Sequence, residues 1–440
     1  MGGRHKVVIL GGGFGGLYAA QALRSAPVEV TLIDRRNYHL FQPLMYQVAT
    51  GSLSPGEIAA PLRGVLSRQK NAHVLLGEAV DVDPTKKRVM LSDGASFRYD
   101  SLIVATGSEN SYYGNDGWRE WAPSLKTVEE ALSVRHKILY AFEAAERMAD
   151  SEERRAWLTF VIVGAGTTGL ELAGALAEIS RETLRHDFRS IRPQEARIIL
   201  MEGSPRVLPT YPEDLSVKAE RQLAKLGVEV RKGVRVVGVD REGVTLHDDD
   251  RIERLATRTV LWAGGVVASD FGRRLATRTE VETDKGGRIR VNPDLTVSGY
   301  SDIYVIGDLA FAFRPDGRQL PGVAQVAMQE GAYAAKAIVK RLGGPKELPP
   351  FTYFDKGDVA VIGRAAAVAN IFGVHVSGLT AWIIWLFIHL MYIVEFQSRV
   401  LVFIQWGFQY VTFSRGARLI TGVAASDYSH HDGPPQPPPQ

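Results

Sequence analysis

The chain has 440 residues, of which 45% are hydrophobic and 23% charged, and its formal net charge is only +3. This length is enough for two or three domains, and the charge is too small to indicate a nucleic-acid partner. The sequence contains no cysteine, which excludes disulfides, redox-active dithiols, zinc–thiolate sites and iron–sulfur clusters. We predict no metal site, so any electron transfer must use a bound organic cofactor.

The N-terminal segment predicts a dinucleotide-binding unit. Residues 7–10 form an apolar run typical of a buried strand, residues 17–24 predict a helix, and residues 28–33 predict a second strand that ends at Asp34. The loop between the first strand and the helix has the glycine fingerprint Gly11, Gly13 and Gly16. These glycines permit a tight turn, a close approach to a pyrophosphate and close helix packing, while Asp34 is placed to bind a ribose.

A second unit repeats this pattern. Residues 160–163 predict a strand, Gly164, Gly166 and Gly169 form the loop, and residues 170–179 predict a helix. The returning strand, 197–201, ends at Glu202. A carboxylate there binds ribose hydroxyls and repels a 2′-phosphate, so we expect NADH to be preferred over NADPH. Two such loops imply two dinucleotides in one chain.

Further strands are predicted at 102–105, 259–263 and 303–306, each followed by a glycine turn, and a small sheet at 73–80 and 88–91. Residues 127–153 predict a long helix, and residues 322–340 predict a loop that leads into a helix. The N-terminus has no apolar leader, so we expect the protein to fold in a cytoplasmic-type compartment. Residues 425–440 are proline-rich at their end and predict a disordered tail.

The C-terminal part is apolar and aromatic. Residues 379–394 have no formal charge over 16 residues, and 400–413 form a second apolar run. Both are shorter than the roughly 20 residues of a spanning helix, which favours helices lying in the lipid headgroup region. A short span and a buried dimer core are the alternatives. In the interfacial interpretation, tryptophans lie at the membrane surface and arginines face anionic lipid: Trp382, Trp385, Trp406, Arg399, Arg415 and Arg418.

Several segments carry a family resemblance, from about Lys6 to about Gly422: 37–44, 46–51, 105–108, 306–308, 324–329, 381–389 and 415–420. On these the chain resembles the type II NADH dehydrogenases, which are single-subunit, non-proton-pumping NADH:quinone oxidoreductases of the two-dinucleotide-binding flavoprotein superfamily. One departure is Thr167, where the family usually has proline. The absence of cysteine also separates the chain from the dithiol branches of that superfamily.

The resemblance implies an α/β fold with two Rossmann-like domains, the second inserted in the first, and a C-terminal amphipathic helical membrane-binding segment. The FAD-binding domain is expected at 1–115 and 297–350, the NADH-binding domain at 116–296, and the membrane-anchoring or dimerisation domain at 351–424. The residues expected to bind FAD are Gly11, Gly13, Phe14, Gly15, Gly16, Asp34, Val80, Thr106, Gly107, Asp308, Ala324 and Gln325. Those expected to bind NADH are Gly164, Gly166, Thr168, Gly169, Glu171, Glu202 and Gly264.

The resemblance also implies the reaction, in which a hydride passes from NADH to FAD and two electrons then reduce a membrane quinone, menaquinone or ubiquinone. Glu171, Gln325 and Gln329 are the expected catalytic residues. Without the resemblance, Glu171 is equally well interpreted as a helix-start acid. For the two glutamines, a solvated helix start is then the favoured interpretation. We expect a homodimer bound peripherally to the cytoplasmic face of the inner or plasma membrane. The alternatives are a soluble NAD(P)H reductase of a ferredoxin-like acceptor and a redox-sensing flavoprotein module.

Overall fold

The computed structural model describes residues 4–248, 251–344 and 348–421. Its strands are β1 His5–Leu10, β2 Val28–Asp34, β3 Tyr38–Leu40, β4 Ala59–Pro61, β5 Ala72–Leu76, β6 Ala79–Asp83, β7 Arg88–Leu91, β8 Ser96–Arg98, β9 Ser101–Val104, β10 Ser108–Asn110, β11 Thr159–Val163, β12 Arg197–Glu202, β13 Val228–Lys232, β14 Arg235–Asp240, β15 Gly243–Asp248, β16 Arg251–Ala256, β17 Thr259–Trp262, β18 Val266–Ala268, β19 Ile289–Arg290, β20 Thr296–Val297, β21 Tyr300–Val305, β22 Ala310–Phe311, β23 Asp358–Gly363, β24 Ala366–Ile371 and β25 Val374–Ser377. Its α-helices are α1 Phe14–Ala22, α2 Met45–Ala49, α3 Pro55–Ile58, α4 Leu62–Val65, α5 Val128–Arg147, α6 Ser151–Trp157, α7 Thr167–Glu178, α8 Glu213–Lys225, α9 Asp270–Thr279, α10 Ala324–Leu342, α11 Leu379–Tyr392 and α12 Phe396–Thr412.

A six-stranded sheet in the order β20-β21-β9-β1-β2-β5 organises the first dinucleotide-binding unit. All neighbours are parallel except the edge pair β20–β21. The apolar residues 7–10 of β1 are buried on both faces, which is why this strand has no alternating pattern. Since β20 and β21 come from 296–305 and the other strands from 5–104, this sheet is discontinuous in sequence.

A second parallel sheet, in the order β13-β12-β11-β17, lies within the sequence between those two parts. The chain returns to the first sheet before residue 297, because Ala268, Phe271 and Ile289 pack in one core cluster with Val8 and Leu10. The α/β fold class is confirmed. β10 follows a strand of the first sheet and β18 follows a strand of the second, and these two strands pair with each other between the two units.

Two sequence predictions about local elements were wrong. The helix expected at 127–153 is two helices, α5 and α6, because Asp150 caps the second by accepting hydrogen bonds from the N–H groups of Glu152 and Glu153. The run 73–80 is also divided, since Gly77 bonds to the Asp34 carbonyl. β5 therefore joins the first sheet, and only β6 joins β7 and β8 in a separate antiparallel sheet.

The C-terminal part begins with the antiparallel sheet β23-β24-β25, which packs on α7. This contact is very close, since a Cβ on Gly174 would lie 1.6 Å from the Ile362 carbonyl oxygen. Helices α11 and α12 follow. The interfacial placement of two tryptophans was wrong: Trp385 and Trp406 are buried, and the Trp406 indole donates to Gln47 Oε1 at 2.7 Å.

The arginines of this part also differ from the expectation. Arg415 is buried and donates to Glu178 Oε2 at 2.9 Å and to the Thr50 carbonyl at 3.3 Å, so it does not face lipid. Arg418 pairs with Asp187, and Arg399 donates to the Ile393 carbonyl at 2.6 Å. The contacts of Arg415 and Arg418 connect the segment after α12 to the rest of the protein, whereas that of Arg399 lies within the C-terminal part.

The outer sides of α11 and α12 carry an exposed apolar face, which we define by these residues: Leu379, Ile383, Phe387, Met391, Phe396, Leu401, Phe403, Ile404, Phe408 and Val411. The four residues on α11 recur every fourth position and so share one side of that helix. The two helices have 14 and 17 residues. Among the described residues, no helix combines the length and the hydropathy needed to cross a bilayer. The predicted tail at 425–440 lies outside the described residues.

Candidate functional site

The two glycine loops have nearly the same geometry. Gly11 and Gly164 both have φ of +99°, a conformation that L side chains rarely adopt. A Cβ on Gly16 would lie 1.8 Å from the Gly11 carbonyl oxygen, and a Cβ on Gly169 would lie 1.8 Å from that of Gly164. The first and third glycines are therefore required by the fold itself.

The middle glycines are different. A Cβ on Gly13 or Gly166 would meet no atom within 4 Å. Both residues are N-caps, of α1 and α7, and neither cap is satisfied by a side chain. The open space therefore adjoins helix N-termini whose free N–H groups attract anions, which is the arrangement that a pyrophosphate needs.

A carboxylate stabilises each loop from the end of the second strand. Asp34 accepts hydrogen bonds from the Gly12 N–H at 2.5 Å and the Arg36 N–H at 2.7 Å. Glu202 accepts from the Ala165 N–H at 2.7 Å and from the Ser204 N–H at 2.8 Å. The two acids therefore occupy equivalent positions, although Glu202 is 33 residues after Gly169 in the sequence.

A cavity of about 1780 Å³ runs along the carboxyl ends of the first sheet, which is more than the roughly 300–1,000 Å³ of most small-molecule sites. Its lining includes these residues predicted to bind FAD: Gly11, Gly13, Phe14, Gly15, Asp34, Val80, Thr106, Gly107, Asp308, Ala324 and Gln325. It also includes Thr168 and Glu171. Other predicted residues are not in this lining: Gly16, Gly164, Gly166, Gly169, Glu202, Gly264 and Gln329.

Asp308 is held at the edge of the cavity by Ser108, from the family-resemblance segment 105–108, and by Lys126, which sequence reasoning missed. Its Oδ2 accepts from the Ser108 hydroxyl at 2.7 Å and from Lys126 Nζ at 3.2 Å. Burial alone would raise the pKa of Asp308, but Lys126 and Ser108 outweigh it and lower that pKa. Asp308 is therefore a stable anion beside the cavity.

Glu330, on α10, lies behind Asp308 and is another missed residue. It is 1% exposed, and its Oε2 accepts from the Gly307 N–H at 2.6 Å. Burial, opposed by this hydrogen bond and aided by the negative charge of Asp308, raises the pKa of Glu330 to about 8. The sequence did contain a signal for Glu330, which is a glutamate among the alanines of the helix predicted within 322–340.

Glu171 lies deeper in α7 than the sequence indicated. The helix begins at Thr167, so Glu171 is in its second turn, and the interpretation as a helix-start acid was wrong. Thr167 itself is at N1, where proline is well tolerated, so the departure from the family leaves the helix start in place. Glu171 is 6% exposed and accepts from the Val361 N–H at 3.5 Å. Burial raises its pKa well above the usual value.

Gln325 and Gln329 share a face of α10, which begins at Ala324, but they have different surroundings. Gln325 lines the cavity, donates to the Gly357 carbonyl at 3.2 Å, and has a buried Oε1 without a partner. Gln329 makes hydrogen bonds with the N–H and the carbonyl of Phe354, at 2.9 Å and 3.0 Å. Gln325 is therefore available to a ligand in the cavity, whereas the amide of Gln329 is used by the backbone.

Tyr211 and Asp358 also line the cavity and were not singled out from the sequence. Asp358 is half-buried at the start of β23, and its carboxylate forms no hydrogen bond or ion pair with any described residue. Burial, with the nearby charge of Asp355, raises its pKa. The cavity therefore has two carboxyl groups of raised pKa, Glu171 and Asp358, on the side formed by α7 and β23.

Comparisons with known proteins agree with this geometry. Residues 5–331 match the family of pyridine nucleotide-disulphide oxidoreductases. The type II NADH:quinone oxidoreductase Ndh of Mycobacterium tuberculosis is 46% identical over 428 residues, which are 96% of this chain and 91% of that relative. The chain belongs to the type II NADH:quinone oxidoreductases. The Staphylococcus aureus member is 31% identical over 383 residues, which are 85% of this chain and 92% of that protein.

The fold of this chain also matches a solved structure. The structure of NDH2 from Plasmodium falciparum in complex with NADH matches with a TM-score of 0.84 over 94% of this chain and 99% of that one, at 20% identity. The 46% identical relative confirms the resemblance identified from the sequence, and this structure confirms the expected fold.

The residues present also fit FAD. The first loop offers unobstructed space at Gly13 and free N–H groups for the phosphates, and the lining of the adjoining cavity also includes Thr106 and Gln325. The buried Oε1 of Gln325 has no partner and is available to a bound group. No cysteine is available for a dithiol step.

Proposed function

We propose that this protein oxidises NADH and reduces a quinone through bound FAD, without pumping protons. The observation that carries the proposal is the duplicated loop, with equivalent glycines, equivalent acids and a cavity that extends from the first loop to Thr168 at the start of α7. Bound FAD supplies the two-electron chemistry that no side chain of this cysteine-free protein can supply. The names of the relatives support NADH and a quinone as the two substrates.

The first loop binds FAD and the second binds the nicotinamide dinucleotide. Asp308 and Gln325 line the flavin part of the cavity, and Gly166 and Glu202 form the second dinucleotide site. Glu202 provides an anion at the ribose end, which selects against the 2′-phosphate of NADPH.

Glu171 holds a proton near the site of quinone reduction. Because burial raises its pKa well above the usual value, its carboxyl group retains a proton where an exposed glutamate would be ionised. Glu171 also lines a second, smaller cavity of about 110 Å³ together with Trp382, Trp385, Trp406 and Tyr410. This aromatic cavity lies between α7 and the C-terminal helices, so it offers the quinone a route from those helices to Glu171.

The exposed apolar face on α11 and α12 docks on a lipid surface. Long-chain quinones are dissolved in the bilayer, and the face continues outward from the helices that form the aromatic cavity. Exposed phenylalanine and aliphatic side chains on short helices are suited to the interfacial region. We therefore propose a peripheral attachment on the cytoplasmic face of the inner or plasma membrane, and the homodimer remains a prediction.

Steady-state kinetics of the purified protein test the enzymatic proposal. We expect flavin absorbance near one per chain, rapid NADH oxidation with a short-chain quinone, and much slower oxidation of NADPH. A protein without flavin bands, or one that turns over with a ferredoxin but with no quinone, would contradict the proposal.

Membrane docking is tested by flotation with liposomes. We expect the variant Phe387→Ser/Phe403→Ser/Ile404→Ser to lose binding but to keep its activity with a short-chain quinone. Ile252→Ser is the control, because Ile252 is also exposed (74%) but lies on β16, away from the face. Equal flotation of both variants and the wild type would exclude this surface. Substitutions are preferable to truncation, because α11 and α12 also contribute Trp385 and Trp406 to the core.

A further inference from the structure

Tyr113 has an unusual backbone and an unusual side-chain position. It follows β10 in the segment that leads from the first sheet to the second and has φ of +52°, a conformation that is unfavourable for a residue with a Cβ. Its side chain is 69% exposed, yet its hydroxyl donates to the carbonyl oxygen of Gly264. A strained backbone thus directs a largely solvated ring to one specific acceptor.

That acceptor is at the second dinucleotide site. Gly264 and Gly265 follow β17, and β17 pairs with β11, which leads into the second glycine loop. A Cβ on Gly265 would lie 2.5 Å from the Tyr113 hydroxyl oxygen, so the tyrosine side chain lies directly against this glycine. The ring also meets the edge of Trp262 at a centroid distance of 6.4 Å.

Tyr113 also lies near the ribose-binding end of this site. Burial of the hydroxyl, and next the charge of Glu202, raise the pKa of Tyr113, so the carboxylate is within electrostatic range. Glu202 ends β12 and Gly264 follows β17, the two strands on either side of β11. The side chain therefore lies along the carboxyl ends of these strands, where a dinucleotide binds in such a sheet.

The lining of the large cavity includes the residues on either side of Gly264 but not Gly264 itself. Thr168, Ala263 and Gly265 line it, but neither Gly264 nor Glu202 does. The strand order of the second sheet reverses between β11 and β17, and a dinucleotide binds in the crevice at such a point. A dinucleotide whose ribose reaches Glu202 on one side of β11 therefore extends on the other side over Gly264, the acceptor of Tyr113. Binding of the dinucleotide and the Tyr113–Gly264 hydrogen bond therefore compete for the same space.

We propose that Tyr113 is a gate of the nicotinamide dinucleotide site, and that NADH must displace its side chain from Gly264 to bind along β11. The inference rests on the proposed function and adds a residue that weakens the affinity for NADH and so favours release of NAD⁺. Tyr113 acts on binding and takes no part in hydride transfer.

The test compares Tyr113→Phe and Tyr113→Ala in the FAD-loaded protein. A hydrogen bond of ordinary net strength corresponds to about two- to tenfold in a binding constant. We therefore expect both variants to lower the KM for NADH by about that factor, the alanine variant more, while kcat does not fall and the KM for quinone is unchanged. A direct titration with NAD⁺, followed by tryptophan fluorescence, should show the same change in Kd.

Tyr333→Phe is the matched control, because it also removes a tyrosine hydroxyl that donates to a backbone carbonyl, that of Pro349 at 2.7 Å. It should leave the NADH parameters unchanged. A KM and Kd that are unchanged or higher in both Tyr113 variants would overturn the gate. If the wild type showed no NADH:quinone turnover, the proposed function would fail, whereas the NAD⁺ titration would still decide the role of Tyr113.

Discussion

The loop at 11–16 and the loop at 164–169 share their backbone geometry, but their surroundings differ. In the first loop, four residues line the large cavity together with Asp34. This cavity is bordered by Asp308 and backed by α10. The glycines of the second and Glu202 lie outside that lining, and the exposed Tyr113 contacts the adjoining Gly264. The same loop geometry therefore occurs once along the large cavity and once outside it, where Tyr113 is the nearby contact.

Substitutions of the middle glycines should show the largest difference between the two loops. Gly13→Val and Gly166→Val place a side chain where the fold leaves space, so both variants should fold. We expect Gly13→Val to lose flavin and all activity. Gly166→Val should keep a full flavin spectrum but lose at least about a hundredfold in kcat/KM for NADH, as expected for a misplaced reactant. Absorption spectra and NADH kinetics measure both effects, and loss of flavin from Gly166→Val would reverse our assignment of the loops.

Glu171→Gln should have the next largest effect. It removes a titratable proton while keeping the size of the side chain, and we expect kcat with quinone to fall about a hundredfold, as is typical for loss of an acid–base group. Bleaching of the flavin by NADH should be unaffected in stopped-flow measurements. A normal kcat, or a defect confined to the NADH step, would place the proton source elsewhere, with Asp358→Asn the next variant to measure.

Glu202→Gln tests whether the carboxylate at the second loop selects NADH over NADPH. Removal of the charge should raise kcat/KM for NADPH relative to NADH by about tenfold, because one repulsive contact with a 2′-phosphate is lost. The control is Glu220→Gln, whose carboxylate pairs with Lys232 on the surface. An unchanged ratio of the two nucleotides would mean that another residue determines the preference.

Glu330→Gln tests the effect of a buried carboxyl group near Asp308 on the pH dependence of stability. With its pKa raised from 4.5 to about 8, Glu330 binds a proton in the folded protein that the unfolded chain releases. Its contribution to stability is therefore complete below about pH 4.5 and is lost as the pH rises through 8. We expect the Tm of the wild type to decline more steeply between pH 5 and 8.5 than that of the variant, by on the order of 2 °C. Parallel Tm profiles would show that Glu330 does not titrate in this range.

Periodic and fingerprint patterns predicted both dinucleotide units well, because buried strands and glycine turns depend on local sequence. The glycines and the acids Asp34 and Glu202 were found in this way. Lys126, Glu330 and Tyr113 were missed because each contacts a partner distant in sequence, such as Asp308 for Lys126. Asp358 was missed because its burial depends on the packing of β23 against the rest of the protein. The inward-facing Trp385, Trp406 and Arg415 were misjudged because apolar and basic composition does not distinguish a helix face on the protein from one on lipid.

An anaerobic titration of the purified protein tests the central claim most directly. NADH should bleach the flavin absorbance with a stoichiometry of about one, and a short-chain quinone should then restore it completely, since hydride acceptance and quinone reduction use the same cofactor. NADPH should bleach it far more slowly. Flavin that NADH bleaches but quinone does not reoxidise would contradict the account.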